Sequence, residues 1–422
     1  MSWYKVLPPS MEAGAALAIF VVCFALILHR KIKITYLSLG AAALLIALGI
    51  IQPDVAIFQS VDWDVLAIYW GYGLLSFVFG ESKIPSWAAA QVLARIKKEK
   101  YALLFICVLA ALLSSFMANP VVVIMLAPLT IEIAERVKGS LFLYLTSLAI
   151  SSNVVTTVSM VADPPALILA MATGMKFLDF YWFQGKIGLG ALSVIGVAVA
   201  LATLLAQFRH LNGRVDIKEE MVEVDWTPMA LFVLSVLVLA FIPMRHPGAV
   251  GGGLGVVSLF LGRKKLRAML GEFDWDTLLF LVGIFILVDC VERVGLLKGF
   301  TDWLSGTGLR SPTLYLLLIT WMSVALSSFI DNVPFTVLMI PVCNNLALSL
   351  GASPWPFYFG MLVGTGLGGN ITPVGATANV LACGMLEKRG HKIDTLQFMK
   401  ISVPFSVAAV LAVHLLIQLI WL

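Results

Sequence analysis

Four short polar segments interrupt long apolar stretches of the chain, and they contain the residues best suited to bind a solute. Two of them follow the pattern Ser-Ser-Phe-x-x-Asn, at 114–119 and 327–332, and the other two, at 151–165 and 366–379, combine Asn and Thr with Gly or Pro. Hydroxyl and amide side chains offer donors and acceptors, and the N-terminus of a broken helix adds unpaired N–H groups. These segments predict a binding site for a small, oxygen-rich solute.

Among the hydroxyl groups of these segments, we predict that Ser115, Thr156 and Ser328 bind the solute. The alternative for any single residue is that it only caps the end of a broken helix. A purely structural role for all four breaks together is the weaker explanation, because breaks at membrane depth are tolerated only beside protein or a water-filled cavity.

Two carboxylates, Asp163 and Asp331, fall within these polar segments. An ionised, unpaired carboxylate in hydrocarbon costs at least a few kcal/mol, so both are predicted to carry proton or ion coupling. The alternative for Asp163, which precedes two prolines, is that it caps the following helix. Since no Arg or Lys lies at any break, a dianion would have to rely on helix dipoles and hydroxyl groups.

The composition places these segments in a membrane protein. Of the 422 residues, 60% are hydrophobic and 12% are charged, against roughly 25% charged in soluble domains, and the mean hydropathy is +0.98. This excludes a water-soluble enzyme. A dispersed net charge of +4 gives no nucleic-acid surface, and the 5 cysteines lack the spacing of a zinc or redox site.

Hydropathy predicts an all-α polytopic protein with two inverted repeats, about ten crossings, two re-entrant hairpins and two broken helices. The regular spans are predicted at 13–28, 36–51, 65–80, 187–207, 227–242, 248–262, 278–291 and 403–422. Four longer blocks are interrupted near the middle, at 101–133, 141–172, 313–350 and 355–386. We interpret the first and third blocks as hairpins and the other two as single broken spans.

This arrangement puts 21 of the 28 Lys and Arg residues on one side, which the positive-inside rule makes cytoplasmic. Both termini are then outside, in a multi-pass protein of the inner (plasma) membrane. The polar stretch 209–225 and the basic loop 263–267 lie in the cytoplasm in this prediction.

Matching residues recur in the same order in both halves of the chain. The pairs are Asp62-Trp63-Asp64 with Asp274-Trp275-Asp276 at an offset of 212, Asn119 with Asn332 and Pro128 with Pro341 at 213, Asn153 with Asn370 at 217, and Gly174 with Gly390 at 216. A colinear series of this kind indicates duplication. The predicted spans run in opposite directions in the two copies, as in many secondary transporters.

The predicted domains follow from this repeat. They are an N-terminal helix at 1–35, repeat 1 at 36–208, a cytoplasmic linker at 209–226, a connecting helix at 227–247 and inverted repeat 2 at 248–422. Breaks at matching positions of two repeats are the best pointer in a sequence to a transporter binding site.

The segments 162–168 (Ala-Asp-Pro-Pro-Ala-Leu-Ile), 327–335 (Ser-Ser-Phe-Ile-Asp-Asn-Val-Pro-Phe) and 368–380 (Gly-Gly-Asn-Ile-Thr-Pro-Val-Gly-Ala-Thr-Ala-Asn-Val) resemble the ion transporter superfamily. The chain is most similar to its branch of arsenite-efflux permeases, D-type sodium–proton antiporters and the melanosomal P protein, and less similar to dicarboxylate and citrate carriers. The resemblance implies a transport domain that holds substrate between two hairpin tips and two helix breaks. The residues implied are Asn119, Asn153, Asn332 and Asn370, with Thr372 and Asn379 beside them.

Two positions depart from that pattern, with Ala118 where relatives have Asp and Ala162 where they have Gly. Losing a carboxylate weakens the case for a bare cation such as sodium, whereas a nearly neutral site suits arsenous or antimonous acid. The sequence therefore predicts a secondary transporter that exports arsenite or antimonite in exchange for protons by alternating access. The alternatives are a sodium–proton antiporter and a di- or tricarboxylate–cation symporter.

Proteins of other classes would need motifs that this sequence lacks. An intramembrane enzyme requires a catalytic cluster such as HExxH or paired Asp, and a primary pump requires a nucleotide-binding GxxxxGK[ST] loop. We predict no cofactor, no metal site and no nucleic-acid partner. A channel, a homodimer and a separate ATPase subunit stay open.

Overall fold

The computed structural model describes residues 9–29, 32–215, 223–242, 246–295, 311–329 and 332–422. In the first half the helices are α1 Pro9–His29, α2 Ile34–Ala47, α3 Pro53–Val55, α4 Trp63–Glu81, α5 Ile84–Leu93, α6 Glu99–Ser114, α7 Asn119–Arg136, α8 Leu141–Asn153, α9 Pro164–Thr173 and α10 Leu189–Gln207. In the second half they are α11 Thr227–Phe241, α12 Gly248–Leu261, α13 Leu266–Glu272, α14 Trp275–Arg293, α15 Pro312–Ser327, α16 Asn332–Leu350, α17 Trp355–Gly368, α18 Thr377–Glu387 and α19 Thr395–Trp421.

Irregular turns and one small sheet complete the described chain. A π-helical turn occupies Ala56–Ser60, and 3-10 turns occupy Phe177–Phe180, Phe208–His210 and Arg263–Lys265. Strands β1 Trp182–Phe183 and β2 Lys186–Ile187 pair antiparallel, with Trp182 opposite Ile187. Apart from this two-stranded sheet, the regular structure of the described chain is helical, so the predicted class of an all-α polytopic membrane protein is confirmed.

Four described helices are long and apolar enough to cross a membrane: α4, α10 with the turn that follows it, α16 and α19. Several others are apolar but shorter, α2 and α12 among them. Helices α14 and α19 are among those that begin before their predicted spans, and a polar cap extends each of the two beyond the apolar window. Asp274 caps α14 through the Thr277 amide, and Asp394 caps α19 through the Leu396 amide.

Each of the four long blocks is split where the sequence predicts. The first helix of each pair ends at Ser114, Asn153, Ser327 or Gly368, and the second begins at Asn119, Pro164, Asn332 or Thr377. Proline lacks the N–H that a continuing helix needs, and glycine gives up the most chain entropy on becoming helical. Although α16 is long enough to span, Asn332 and Val333 at its start line an internal cavity, so this helix begins at depth.

Helices of each predicted repeat pack against helices of the other repeat. Helix α2 packs on α14, and α12 packs on α4. Both contacts need glycine, because a Cβ on Gly71 would lie 2.0 Å from the Gly251 carbonyl oxygen, and one on Gly283 would lie 2.4 Å from the Ser38 carbonyl carbon. Gly71 and Gly283 are 212 residues apart, so the two close approaches are equivalents.

Carboxylates in the first turns of α4 and α14 anchor the helices that pack on them. The Asp276 side chain accepts hydrogen bonds from Lys33 at 2.9 Å and from the Thr35 hydroxyl at 3.2 Å. At the equivalent place, Asp64 accepts from the Gly248 amide at 3.0 Å. The hydrogen bond to Asp276 raises the pKa of Lys33 above its usual range. The domain boundaries and the inverted orientation remain predictions.

Candidate substrate-binding site

The four breaks meet around one cavity of about 210 Å³. Asn119 contributes from the first tip, Thr156 from the first break, Asn332 from the second tip and Gly366 from the second break. Further lining side chains come from α4 and from the turn between α13 and α14, among them Tyr69, Tyr72, Ser76, Phe273 and Asp274.

The predicted site residues divide into two groups. Those that line the cavity are Asn119, Asn153, Thr156, Asp163 and Asn332. Those absent from its lining are Ser115, Ser328, Asn370, Thr372 and Asn379, of which all but the half-buried Ser115 are buried. The prediction for Asp331 lies outside the described residues.

A network of asparagine amides joins the first break to the second. The Asn153 amide nitrogen donates to Asn370 Oδ1 at 2.9 Å and to Asn379 Oδ1 at 3.0 Å. The Asn379 amide nitrogen donates to the carbonyls of Gly369 at 3.1 Å and Thr372 at 3.0 Å, two groups that the break frees from helical pairing. This network holds the two breaks together and satisfies their backbone.

A hydroxyl from each break holds the hairpin tip of its own half. Ser159 donates to the Ser115 carbonyl at 3.0 Å, and Thr372 donates to the Ser328 carbonyl at 2.5 Å. Both donors and both acceptors are related by the 213-residue offset of the repeat. Ser159 was not predicted from the sequence, although its offset from Thr372 is a signal that could have identified it.

The two tips differ in how their polar side chains are paired. At the second tip the Ser327 hydroxyl donates to Asn332 Oδ1 and lies 2.6 Å from the Thr365 carbonyl. At the first tip the equivalent atoms, Ser114 Oγ and Asn119 Oδ1, are buried and have no hydrogen-bond partner among the described residues. Of these two residues only Asn119 lines the cavity, so the first tip has one unpaired polar side chain beside it.

The Thr156 hydroxyl is a third buried group without a partner in the described chain. Thr156 is 3% exposed and lines the cavity. A Cβ at Gly366 would lie 2.1 Å from Thr156 Oγ1, so only glycine leaves room for this hydroxyl.

Asp163 occupies the N-cap position of α9, but its side chain makes no capping hydrogen bond. Pro164 and Pro165 follow directly, and Pro165, at the second helical position, lacks one of the two N–H groups from which a capping carboxylate can accept. Asp163 lines the cavity instead. The charged residues among the described lining are all carboxylates, namely Asp163, Glu272 and Asp274.

Comparison with known proteins places this arrangement in a family. Residues 24–364 match the model of the citrate transporter family. The chain belongs to this family. Among its relatives, an uncharacterized transporter of Mycobacterium tuberculosis is 26% identical over 96% of this chain and 97% of the relative. The P protein of Mus musculus is 25% identical over 95% of this chain and 60% of the P protein.

A solved structure shares the fold. The YdaH transporter of Alcanivorax borkumensis aligns with a TM-score of 0.57 and 14% identity, over 98% of each chain. The predicted resemblance to the ion transporter superfamily, including the P protein, is confirmed. The chain is thus a multi-pass membrane transporter of the citrate transporter family.

Proposed function

We propose that this transporter is a secondary carrier that exports a small uncharged solute, arsenite or antimonite as first candidates, in exchange for protons. The observation that carries the proposal is a cavity between the four breaks with unpartnered buried oxygens and no cationic side chain in its described lining.

The unpartnered groups favour a solute that makes hydrogen bonds. A buried polar group without a partner costs about 1–3 kcal/mol, so Asn119 Oδ1 and Thr156 Oγ1 gain from a bound molecule. The amide oxygen needs a donor, and the hydroxyl both donates and accepts. A neutral trihydroxy acid such as arsenous acid offers both functions in a small volume.

The charges of the lining disfavour a di- or tricarboxylate as substrate. Such an anion would approach Asp163, Glu272 and Asp274 without a lysine, arginine or histidine in the described lining to offset the repulsion. The sodium–proton antiporter is the second candidate. It is favoured by the same Asp163 carboxylate together with the amide and hydroxyl oxygens, because hard cations prefer oxygen ligands.

Asp163 supplies a proton site for coupling. It lies at the start of α9 on the cavity wall, where its charge would differ between the loaded and empty states of the carrier. The cavity is lined by the exposed Glu272 and Asp274, so it opens on the side of the 263–267 loop. With the predicted orientation this is the cytoplasmic side, from which an exporter loads. The role of Asp331 remains a prediction, and a homodimer and a separate ATPase subunit stay open.

Flux in reconstituted vesicles tests the proposal. Vesicles with a pH gradient should move arsenite or antimonite against its concentration gradient, while citrate and sodium give background flux. The same protein should restore arsenite tolerance to a metalloid-sensitive host that lacks its own exporter. Uphill sodium movement without arsenite movement would replace this proposal with the antiporter, and purely downhill flux would indicate a channel.

A further inference from the structure

The cavity reaches the surface at the turn between α13 and α14. Glu272 and Asp274 line the cavity and are exposed, whereas Phe273 between them packs inward. A Cβ at Gly73 would lie 2.6 Å from the Phe273 ring, so glycine in α4 makes room for this side chain. The Tyr69 ring packs edge-on against Phe273 at 5.9 Å.

The Asp274 carboxylate is held in place at this opening. Its Oδ1 accepts from the Thr277 amide at 3.0 Å, and its Oδ2 accepts from the Thr277 hydroxyl at 2.5 Å and from the Tyr69 hydroxyl at 3.3 Å. The repeat equivalent, Asp62, caps α4 through the Val65 amide at 3.1 Å but does not line the cavity. Capping is thus common to both aspartates, and facing the cavity is particular to Asp274.

Two further residues that line the same cavity have unpartnered polar groups, which point to a ligand. Asn119 is 7% exposed and Thr156 is 3% exposed, and neither Asn119 Oδ1 nor Thr156 Oγ1 has a partner in the described chain. The basic residues at 263–267 come just before the turn but do not line the cavity, and Lys265 pairs with Glu81 on α4. The charge at the opening itself is acidic.

We infer that Glu272 and Asp274 form a charge filter that admits neutral and cationic solutes and repels anions at the entrance. Charge selectivity is then set by the α13–α14 turn, whereas the four breaks contribute the hydrogen bonds that bind the solute. Clefts lined by one sign of charge change the local concentration of charged solutes by 10-fold or more. The inference deepens the proposed function and rests on it in treating this cavity as the substrate path.

Charged thiol reagents measure the filter without any assumption about the cargo. Ala118 and Thr377 are exposed and line the cavity, so each can be replaced by cysteine, one at a time. The 5 native cysteines are buried and give little background. Two methanethiosulfonate reagents are used, one with a trimethylammonium group and one with a sulfonate group. Their rates of modification of Ala118→Cys and Thr377→Cys are compared in permeabilised membranes, so that the result does not depend on the orientation of the protein.

We expect the ratio of the cationic to the anionic modification rate to be about 10-fold higher at the cavity cysteines than at Asn212→Cys, an exposed linker position. Glu272→Gln with Asp274→Asn should lower the ratio towards that of the linker control, with Asp163 as the carboxylate left in the described lining. Asparagine also caps helices, so α14 keeps its start. The matched variant Asp62→Asn, which changes the equivalent cap away from the cavity, should leave the ratio unchanged, and 0.5 M salt should compress it.

The inference is overturned if the ratio at the cavity cysteines equals that at Asn212→Cys, or if the double substitution leaves the ratio unchanged. It is also overturned if neither reagent reaches the cavity cysteines, because the entrance would then be closed. If the cationic reagent reacts faster as expected but the protein does not transport arsenite, the proposed substrate is wrong and the charge filter is still supported.

Discussion

The two hairpin tips share a sequence pattern but use it differently. Ser327 is bonded to Asn332 at the second tip, whereas their equivalents Ser114 and Asn119 lack partners in the described chain. At the second tip the serine and asparagine side chains pair with each other, whereas at the first tip Asn119 lines the cavity with an unpaired amide oxygen. Duplicated motifs therefore do not imply duplicated roles, and binding can reside mainly in one repeat.

The two helix breaks differ in a similar way. The second break is rich in glycine and depends on Asn379 to satisfy the carbonyls of Gly369 and Thr372. In the first half the helix after the break restarts instead with Pro164 and Pro165. An amide side chain stabilises one break, and the fixed backbone of proline shapes the other.

The largest effect is expected from Asn379→Ala. This substitution removes two hydrogen bonds to freed carbonyls and the acceptor for Asn153, all of them buried. Each unsatisfied group costs about 1–3 kcal/mol, so the free energy of unfolding should fall by about 3 kcal/mol or more. Thermal unfolding in detergent measures the loss. A melting temperature equal to that of the unaltered protein would show that the network is not structural.

The next largest effect is on transport, from Asn119→Ala and Thr156→Val. Neither unpaired oxygen has a partner among the described residues, so stability should change little. Transport should fall about 10- to 100-fold, the equivalent of about 1.4–3 kcal/mol of lost solute binding. Vesicle flux and melting temperature are measured on the same preparations.

Asn332→Ala is the matched control, because its Oδ1 is bonded to Ser327 rather than left for the solute. It should lower transport less than Asn119→Ala does. Equal losses of transport at both tips would contradict the asymmetry between them.

Asp163→Asn is expected to change solute binding less than the preceding substitutions do and to act on proton coupling instead. Asparagine keeps the size of the side chain and removes the group that titrates, so bound solute should still exchange across the membrane. Transport driven by a pH gradient should be lost. The exchange of labelled for unlabelled solute should stay within about 3-fold of its normal rate, because a 3-fold change corresponds to less than the about 0.7 kcal/mol that a weak hydrogen bond contributes. If the pH gradient still drives uphill flux, coupling does not use Asp163.

Much of this architecture was predictable from the sequence, because hydropathy and helix-breaking residues act locally. The breaks after Ser114 and Gly368 follow from the residue types alone. The pairing of Asn153 with Asn379 depends instead on which break faces which in three dimensions. The position of Asp274 at the cavity was missed for the same reason, since the sequence of an aspartate before a helix predicts a cap whether or not the residue also borders a cavity.

The smallest effect, and the sharpest comparison, comes from replacing the equivalent serines of the two tips with alanine. Ser327 loses its contacts with Asn332 and the Thr365 carbonyl, so Ser327→Ala should destabilise the protein by about 1–2 kcal/mol. Ser114 is fully buried without a partner in the described chain, and Ser114→Ala removes an unsatisfied hydroxyl at little or no cost. Melting temperatures in solute-free detergent decide between them. Equal destabilisation by both substitutions would mean that Ser114 is also paired, and the difference between the tips would then lie in Asn119 alone.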